Sequence, residues 1–376
     1  MARKTEAKPG KLSIAEMRNL VNKKYGQEIA HDLSKENPTE VTDWVPTGAR
    51  WLDSIICRGK LAGIPVGKIT EIAGLEGTGK SYMAAQIAAN AMAKGMDVVY
   101  FDSESAVDPE FLEATGCDLD KLLYIQATTT ELVLETIEEL LSANNGSMFF
   151  IWDSLANTPA AADVEGSFDP MSSMAMKPRI LSRAFSKLTI PIANTKSTLL
   201  ILNQLKTNIT SNRAELLTDP YFTPGGKAPA YAYSLRIWLT GRKAKDSYIL
   251  DERGYPIGSE VKAKIKKSRF GSLNRECTFK IIWAGGLAKV QDEESWFNAV
   301  KSSKHLEQAG AWFSLVYEDG TKEKFQAANW KEKLESQKFR DRVLQLMDEE
   351  IIVKFETREG NAEDYFDIDS EPSELD

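Results

Sequence analysis

A chain of 376 residues that is 42% hydrophobic and 9% aromatic is long enough for one large core with appendages, and its make-up is not that of a disordered protein. No apolar run approaches the ~18 residues of a membrane span, and the polar start Met1–Gly10 lacks the apolar core of a secretory signal. The net charge of −8 is lopsided: residues 356–376 hold nine of the 55 acidic residues but only one of the 47 basic ones, Arg358, which leaves 46 of each sign in 1–355 and does not exclude a nucleic-acid partner. Cys57, Cys117 and Cys277 are odd in number and scattered, which argues against a disulfide framework or zinc site and for a reducing cytoplasm.

In chain order, residues 1–10 are expected to be disordered. Leu12 to Tyr25 carries apolar residues at 14, 17, 20 and 21, the spacing of an amphipathic helix. Such a helix either packs on its own domain or docks on a neighbouring subunit, and the pattern alone leaves both open. From about 44 to 290, apolar strand-like runs alternate with helical stretches, which predicts a mostly parallel sheet covered by helices. Strands are expected at 68–73, 97–102, 121–125, 147–153, 198–203, 234–240, 260–266 and 277–283. Short polar connections join the last three, so the sheet should end antiparallel. Beyond Gly285-Gly286 the chain turns Trp- and charge-rich, with a hairpin expected near Glu318-Asp-Gly320 and a helix around 330–350.

Residues 74–81 read Gly-Leu-Glu-Gly-Thr-Gly-Lys-Ser, between a predicted strand and the Ala- and Met-rich helix that begins at Tyr82. Strand, loop and helix give the G-x-x-x-x-G-K-S pattern its mechanism. Successive amides at a helix N-terminus cradle phosphates. Lys80 would reach the β- and γ-phosphates, and the Ser81 hydroxyl would coordinate Mg²⁺. Gly74, Leu75, Glu76, Gly77, Thr78, Gly79, Lys80, Ser81 and Tyr82 form this nucleotide-binding set. The strand Met148-Phe-Phe-Ile-Trp152 ends in Asp153, placed to help hold the Mg²⁺. The strand Val98–Phe101 leads to Glu104, placed to orient an attacking water, although a solvated loop acid has the same spacing. The strand Leu199–Leu202 ends in Asn203-Gln204, where a neutral amide can report on the γ-phosphate.

The ordered series Gly74–Ser81, Phe101–Pro109, Ile151–Ser154, Leu202–Leu205 and Pro224–Ala228 resembles the RecA family of recombinases over roughly residues 44–286. Its look is nearer to T-even-type bacteriophage recombinases and bacterial RecA than to eukaryotic paralogues. The resemblance implies an α/β fold with a RecA-like P-loop ATPase core, flanked by an N-terminal helix and a small α+β C-terminal domain. The implied boundaries are 1–43 for an oligomerisation segment, 44–290 for the core, 291–355 for the C-terminal domain and 356–376 for a disordered acidic tail. It also implies roles. Glu104 is the water-activating base, Asp153 the metal-associated carboxylate, and Gln204 the residue that couples nucleotide state to the loop after it. Asp108 and Phe111 lie against the adenine. Lys267 and Arg269 are the cations that reach a neighbouring subunit's γ-phosphate, with Lys266 a rival for Lys267 because the alignment needs a one-residue gap there.

Residues 163–179 and 205–227 are long connections without strong periodicity, and the resemblance makes both DNA-binding loops. Arg179, Lys206, Arg213 and Lys227 are the expected phosphate contacts, and Gly225 and Gly226 offer backbone amides. Met174 and Ile209 match wedge positions between bases, with ordinary packing as the alternative. The acidic tail either solvates a chain end or acts as an internal DNA mimic that competes for the basic groove or recruits a single-strand-binding protein or loading mediator. Together these readings predict a cytoplasmic, ATP- and Mg²⁺-dependent recombinase, bacterial or from a phage-infected host. It would form helical filaments on single-stranded DNA and exchange strands with homologous duplex. The alternatives are a RecA-like motor or regulatory ATPase of the ring-helicase or clock type, and a DNA-binding mediator with weak hydrolysis.

Overall fold

The computed structural model describes residues 11–352 apart from 27, 36, 106, 144–145, 166–175, 209–219, 242–246 and 284–288. The chain divides into two compact units, residues 1–42 and 43–376. The first is built around helix α1 (Ile14–Tyr25), which begins in a capping box. The Glu16 amide donates to the Ser13 hydroxyl at 3.3 Å, and the Ser13 amide donates to the Glu16 carboxylate at 2.8 Å. Gly26, at φ 63°, supplies the left-handed residue that ends the helix. Ile14, Met17 and Leu20 are exposed and no residue of α1 is buried. The predicted apolar stripe is therefore present but uncovered.

In the second unit, β1 (Ile69–Gly74), β2 (Asp97–Asp102), β3 (Leu122–Gln126), β4 (Met148–Asp153), β5 (Thr198–Gln204) and β6 (Leu235–Gly241) run parallel. They are joined by antiparallel β7 (Tyr248–Leu250), β8 (Pro256–Ser268), β9 (Glu276–Ile282) and β10 (Lys289–Gln291). The ten-stranded sheet has the order β10-β9-β8-β6-β1-β5-β4-β2-β3, with β7 paired to β8. The strands β1 and β4 are buried along their whole length, which is why they read as continuous apolar runs. In β8 only Val261, Ala263 and Ile265 alternate inward, the pattern of a half-covered antiparallel strand. The short strands β7 and β10 carry too few residues to announce themselves in sequence.

Helix α2 (Lys80–Ala93) follows the phosphate loop and lies on one face, where Ala84, Ala85, Ala88 and Ala91 are buried and allow a close approach to the sheet. On the other face, α3 (Thr130–Ala143) and α4 (Met176–Asn194) cover Phe101, Phe150, Trp152 and Ile201. The last short helix of this region is α5 (Lys227–Ala232). In the C-terminal elements, the expected hairpin forms between 312–316 and 322–326, within a three-stranded antiparallel sheet. The helix expected over 330–350 is instead two, Trp330–Lys333 and Gln337–Glu350. The break lets Trp330 and Phe339 pack edge-on at 5.5 Å, with Phe325 against both. This aromatic cluster joins the core beneath α2 without a gap. The residues from 356 onward lie outside the described set. No described helix is long and apolar enough to cross a membrane.

Candidate active site

Parallel register assembles the site. Gly74 pairs with Gln204 and Asp102 pairs with Asp153, so the tips of β1, β5, β4 and β2 end in one row at the carboxyl edge of the sheet. There they line a cleft of about 900 Å³ that includes Glu76, Lys80, Ser81, Glu104, Asp153 and Gln204. Gly77 and Gly79 take left-handed conformations at φ 71° and 75°, and a Cβ on Gly79 would lie 2.6 Å from Ile281 Cδ1. That position admits only glycine. Lys80 Nζ donates to the carbonyls of Leu75 at 3.0 Å and Gly74 at 3.3 Å, which holds the ammonium across the loop. Burial lowers its pKa, against the opposing pull of Asp153, Glu104 and Glu76.

Ser81 Oγ donates to Asp153 Oδ2 at 2.8 Å, and Tyr100 Oη donates to the same oxygen at 2.8 Å. Burial raises the Asp153 pKa, with the charges of Glu104 and Asp102 adding to the effect and the Ser81 and Tyr100 hydrogen bonds opposing it. Two hard oxygens beside a phosphate cradle suit Mg²⁺, which keeps most of its waters and takes few protein ligands. Among the described residues no cluster of three or more His, Cys, Asp or Glu forms a self-contained metal site.

Glu104 is held by the loop that follows β2. Buried Asp102 accepts from the amides of Glu104 at 2.8 Å and Val107 at 3.1 Å and from Tyr124 Oη at 3.0 Å. Ser103 and Ser154 lace the tips of β2 and β4 together, the Ser154 amide donating to Ser103 Oγ at 3.0 Å. Glu104 Oε1 accepts from Asn157 Nδ2 at 2.6 Å and Ser154 Oγ at 3.1 Å. Asn157, Tyr248 and Trp283 also line the cleft, and the sequence reading missed all three. They come from a turn, an edge strand and a strand end far apart in sequence, with no local motif. Of the two expected adenine contacts, Asp108 is the N-cap of Pro109–Ala114, its Oδ1 accepting from the Glu110 amide at 3.0 Å, and Phe111 packs edge-on at 4.4 Å against Tyr82, which lines the cleft.

The cations Lys267 and Arg269 are not in this cleft. Lys267 Nζ donates to the carbonyls of Ala230 at 2.7 Å and Tyr231 at 3.0 Å, and Arg269 Nη2 donates to Tyr231 at 2.9 Å. The Arg269 amide bonds Ser234, whose own amide bonds Ile69, so the pair stands at the entry end of β1. The phosphate loop leaves the other end of that strand, ~17 Å away at ~3.3 Å per residue. Burial, with Arg269 and Arg236 adding, pushes the Lys267 pKa down to about 8. Lys266 and Lys267 together face Arg236 across a β-bulge. Lys266 lies over the Trp238 ring at 4.3 Å.

At the loops, Arg179 and Lys206 are exposed. Lys206 and Thr207 pair with Phe222 and Tyr221, which closes the neck of the second loop. Gly225 and Gly226, at φ 106° and 83°, close it against the first, because added Cβ atoms would lie 3.1 Å from Leu155 and 3.2 Å from Pro178. Met174, Ile209, Arg213 and the Lys227 side chain lie outside the described residues. A family model described as the RecA N-terminal domain matches residues 12–288. The chain belongs to the RecA family. Its relatives include the RecA protein of Fusobacterium nucleatum, 30% identical over 295 residues, which span 78% of this chain and 73% of that one. The RecA protein of Thermus aquaticus is 29% identical over 302 residues, covering 80% and 84%. The RecA-family match covers the whole cleft and both loops.

Proposed function

We propose that this recombinase binds ATP and Mg²⁺, polymerises on single-stranded DNA as a helical filament, pairs it with homologous duplex and exchanges strands. The observation that carries the reading is the split of the site. Lys80, Ser81, Glu104, Asp153 and Gln204 share one cleft, while Lys267 and Arg269 stand at the opposite end of the same sheet. Cations needed at a γ-phosphate but placed beyond its reach can serve only the next subunit, and a head-to-tail contact of that kind that does not close into a ring generates a helical filament. The uncovered stripe of α1 supports residues 1–43 as the oligomerisation segment, with 44–290 as the working core and 291–355 as an appended domain.

In the reaction, water attacks the γ-phosphorus as Glu104 takes its proton, the bond to the bridging oxygen breaks, and ADP and phosphate leave. Mg²⁺ would neutralise phosphate charge, with Ser81 and Asp153 as the protein oxygens for it. Lys267 and Arg269 from the neighbour stabilise charge on the transferred group. Gln204 senses the γ-phosphate and transmits its presence to 205–227, which with 163–179 grips DNA through Arg179, Lys206, Arg213, Lys227 and the Gly225 and Gly226 amides. Electron microscopy of the protein with ATP, Mg²⁺ and single-stranded DNA, paired with a strand-exchange assay, tests the reading. Filaments and exchanged product are expected, and rings or monomers without exchange would overturn it.

A further inference from the structure

The turn 154–158 stands between Glu104 and both loops. From below it is fixed by Thr158, whose hydroxyl accepts from Trp152 Nε1 at 2.8 Å and donates to the Ser154 carbonyl at 2.9 Å. From the side, Lys177 closes it. This lysine begins α4, at the far end of the first loop, and its ammonium donates to the carbonyls of Leu155, of Thr158 at 2.6 Å and of Ala156 at 3.4 Å. Leu155 is also the residue against which Gly225 of the second loop is packed. The exposed tip of the turn is Asn157, and its amide reaches Glu104 Oε1.

A carboxylate oxygen held by hydrogen-bond donors must give them up before it can turn to a water that it is to deprotonate. Oε1 has two such donors, Asn157 and Ser154. The hydrogen bond from Asn157 is at the surface, where water can replace it at small cost, so it is suited to being made and broken. Lys177 donates to three carbonyls, and burial, with Lys206 adding and Asp163 opposing, lowers its pKa to about 8.

We propose that Asn157 is a positioning residue that restrains Glu104 in the absence of DNA, and that Lys177 links its release to the first loop. The inference rests on the proposed DNA-coupled hydrolysis. When DNA draws on the loop, Lys177 lets go of the carbonyls, the turn shifts, and Glu104 Oε1 is freed to face the attacking water.

The test is steady-state ATP hydrolysis by full-length wild type, Asn157→Ala and Lys177→Met, with and without single-stranded DNA, across ATP concentration. Asn157→Ala should raise the DNA-free kcat by roughly five-fold or more, leave the DNA-stimulated kcat within about two-fold, and so shrink the stimulation ratio. The KM for ATP should stay within about two-fold while the DNA-free kcat rises, a split that a residue acting only on the fold would not give. Lys177→Met should shrink the ratio in the same direction. Should either variant unfold, seen as a lost thermal transition, the other carries the measurement. Wild type without stimulation by DNA would overturn the proposed function and this inference with it. A stimulated wild type and an unchanged ratio in Asn157→Ala would overturn the inference alone, as would an equal fall in both rates.

Discussion

Individual side chains in this protein are defined by what else is buried with them. Glu104 Oε1 accepts hydrogen bonds from Asn157 and Ser154, and Glu104→Gln keeps its size while removing its carboxylate. That variant should retain nucleotide-dependent assembly on DNA and lose roughly 10²–10⁴-fold in kcat, checked by phosphate release beside electron microscopy. Asp53 has a different setting. It is buried in a turn of Thr47, accepting from Thr47 Oγ1 at 2.7 Å and the Thr47 amide at 3.1 Å. Burial, with the nearby Asp292 charge adding, raises its pKa to about 8, and burial raises Asp292 to about 6. A raised carboxyl pKa means the folded chain holds protons that the unfolded chain has already lost. Stability should therefore fall as pH rises from about 4 to about 8. The Tm of wild type is expected to decline across that window, and Asp53→Asn to flatten the decline. Parallel slopes for the two proteins would refute the assignment.

At the scale of elements, the second loop is anchored to the sheet by one buried network. Glu71 in β1 is paired with Arg236 in β6 at 2.6 Å, with side chains 1% and 13% exposed. Arg236 also donates to Thr223 Oγ1 at 2.9 Å, while Asn203 donates to Glu71 at 3.0 Å and to the Pro224 carbonyl at 3.1 Å. The residue before Gln204 and the last residues of the loop are thus fastened to the same carboxylate. Removing one partner of a buried pair leaves the other charge unpaired. Arg236→Met should cost about 3–5 kcal/mol in unfolding free energy, and Glu71→Leu with Arg236→Met should recover much of it. Denaturant titration decides the matter, and a double variant no better than the single would exclude simple charge pairing. None of this network was legible beforehand, since Glu71 lies inside an apolar strand and its partner is 165 positions away. Helix α1, by contrast, was legible because its cap and its stripe are local.

For the whole molecule, the separation of Lys267 and Arg269 from Lys80 makes a prediction about mixtures. Lys80→Ala alone and Lys267→Ala/Arg269→Ala alone should both be inactive as ATPases. Mixed, they should regain roughly a quarter of wild-type turnover, because some head-to-tail interfaces combine the intact half of each. No recovery in the mixture would mean that the cations serve their own subunit or none. The acidic run 356–376 belongs at this scale as well. Its deletion is expected to raise duplex DNA affinity at low Mg²⁺, measured by fluorescence anisotropy, and an unchanged isotherm would leave it only a solvating end.

By itself the sequence determined the phosphate loop, the parallel strands with their polar tips, the antiparallel edge, and the family. All are local in character: a glycine pattern, a run of apolar residues, a carboxylate at a strand end. Tertiary structure decided which tips share a cleft, that Asn157, Tyr248 and Trp283 join them, and that Asp108 caps a helix. It decided as well that two long-range ties, Lys177 to the 155–158 carbonyls and Arg236 to Glu71, bind the loops to the site. Such contacts come from the register of strands and the closure of loops. Pairing across many intervening residues fixes both, and no local pattern of residue types records it.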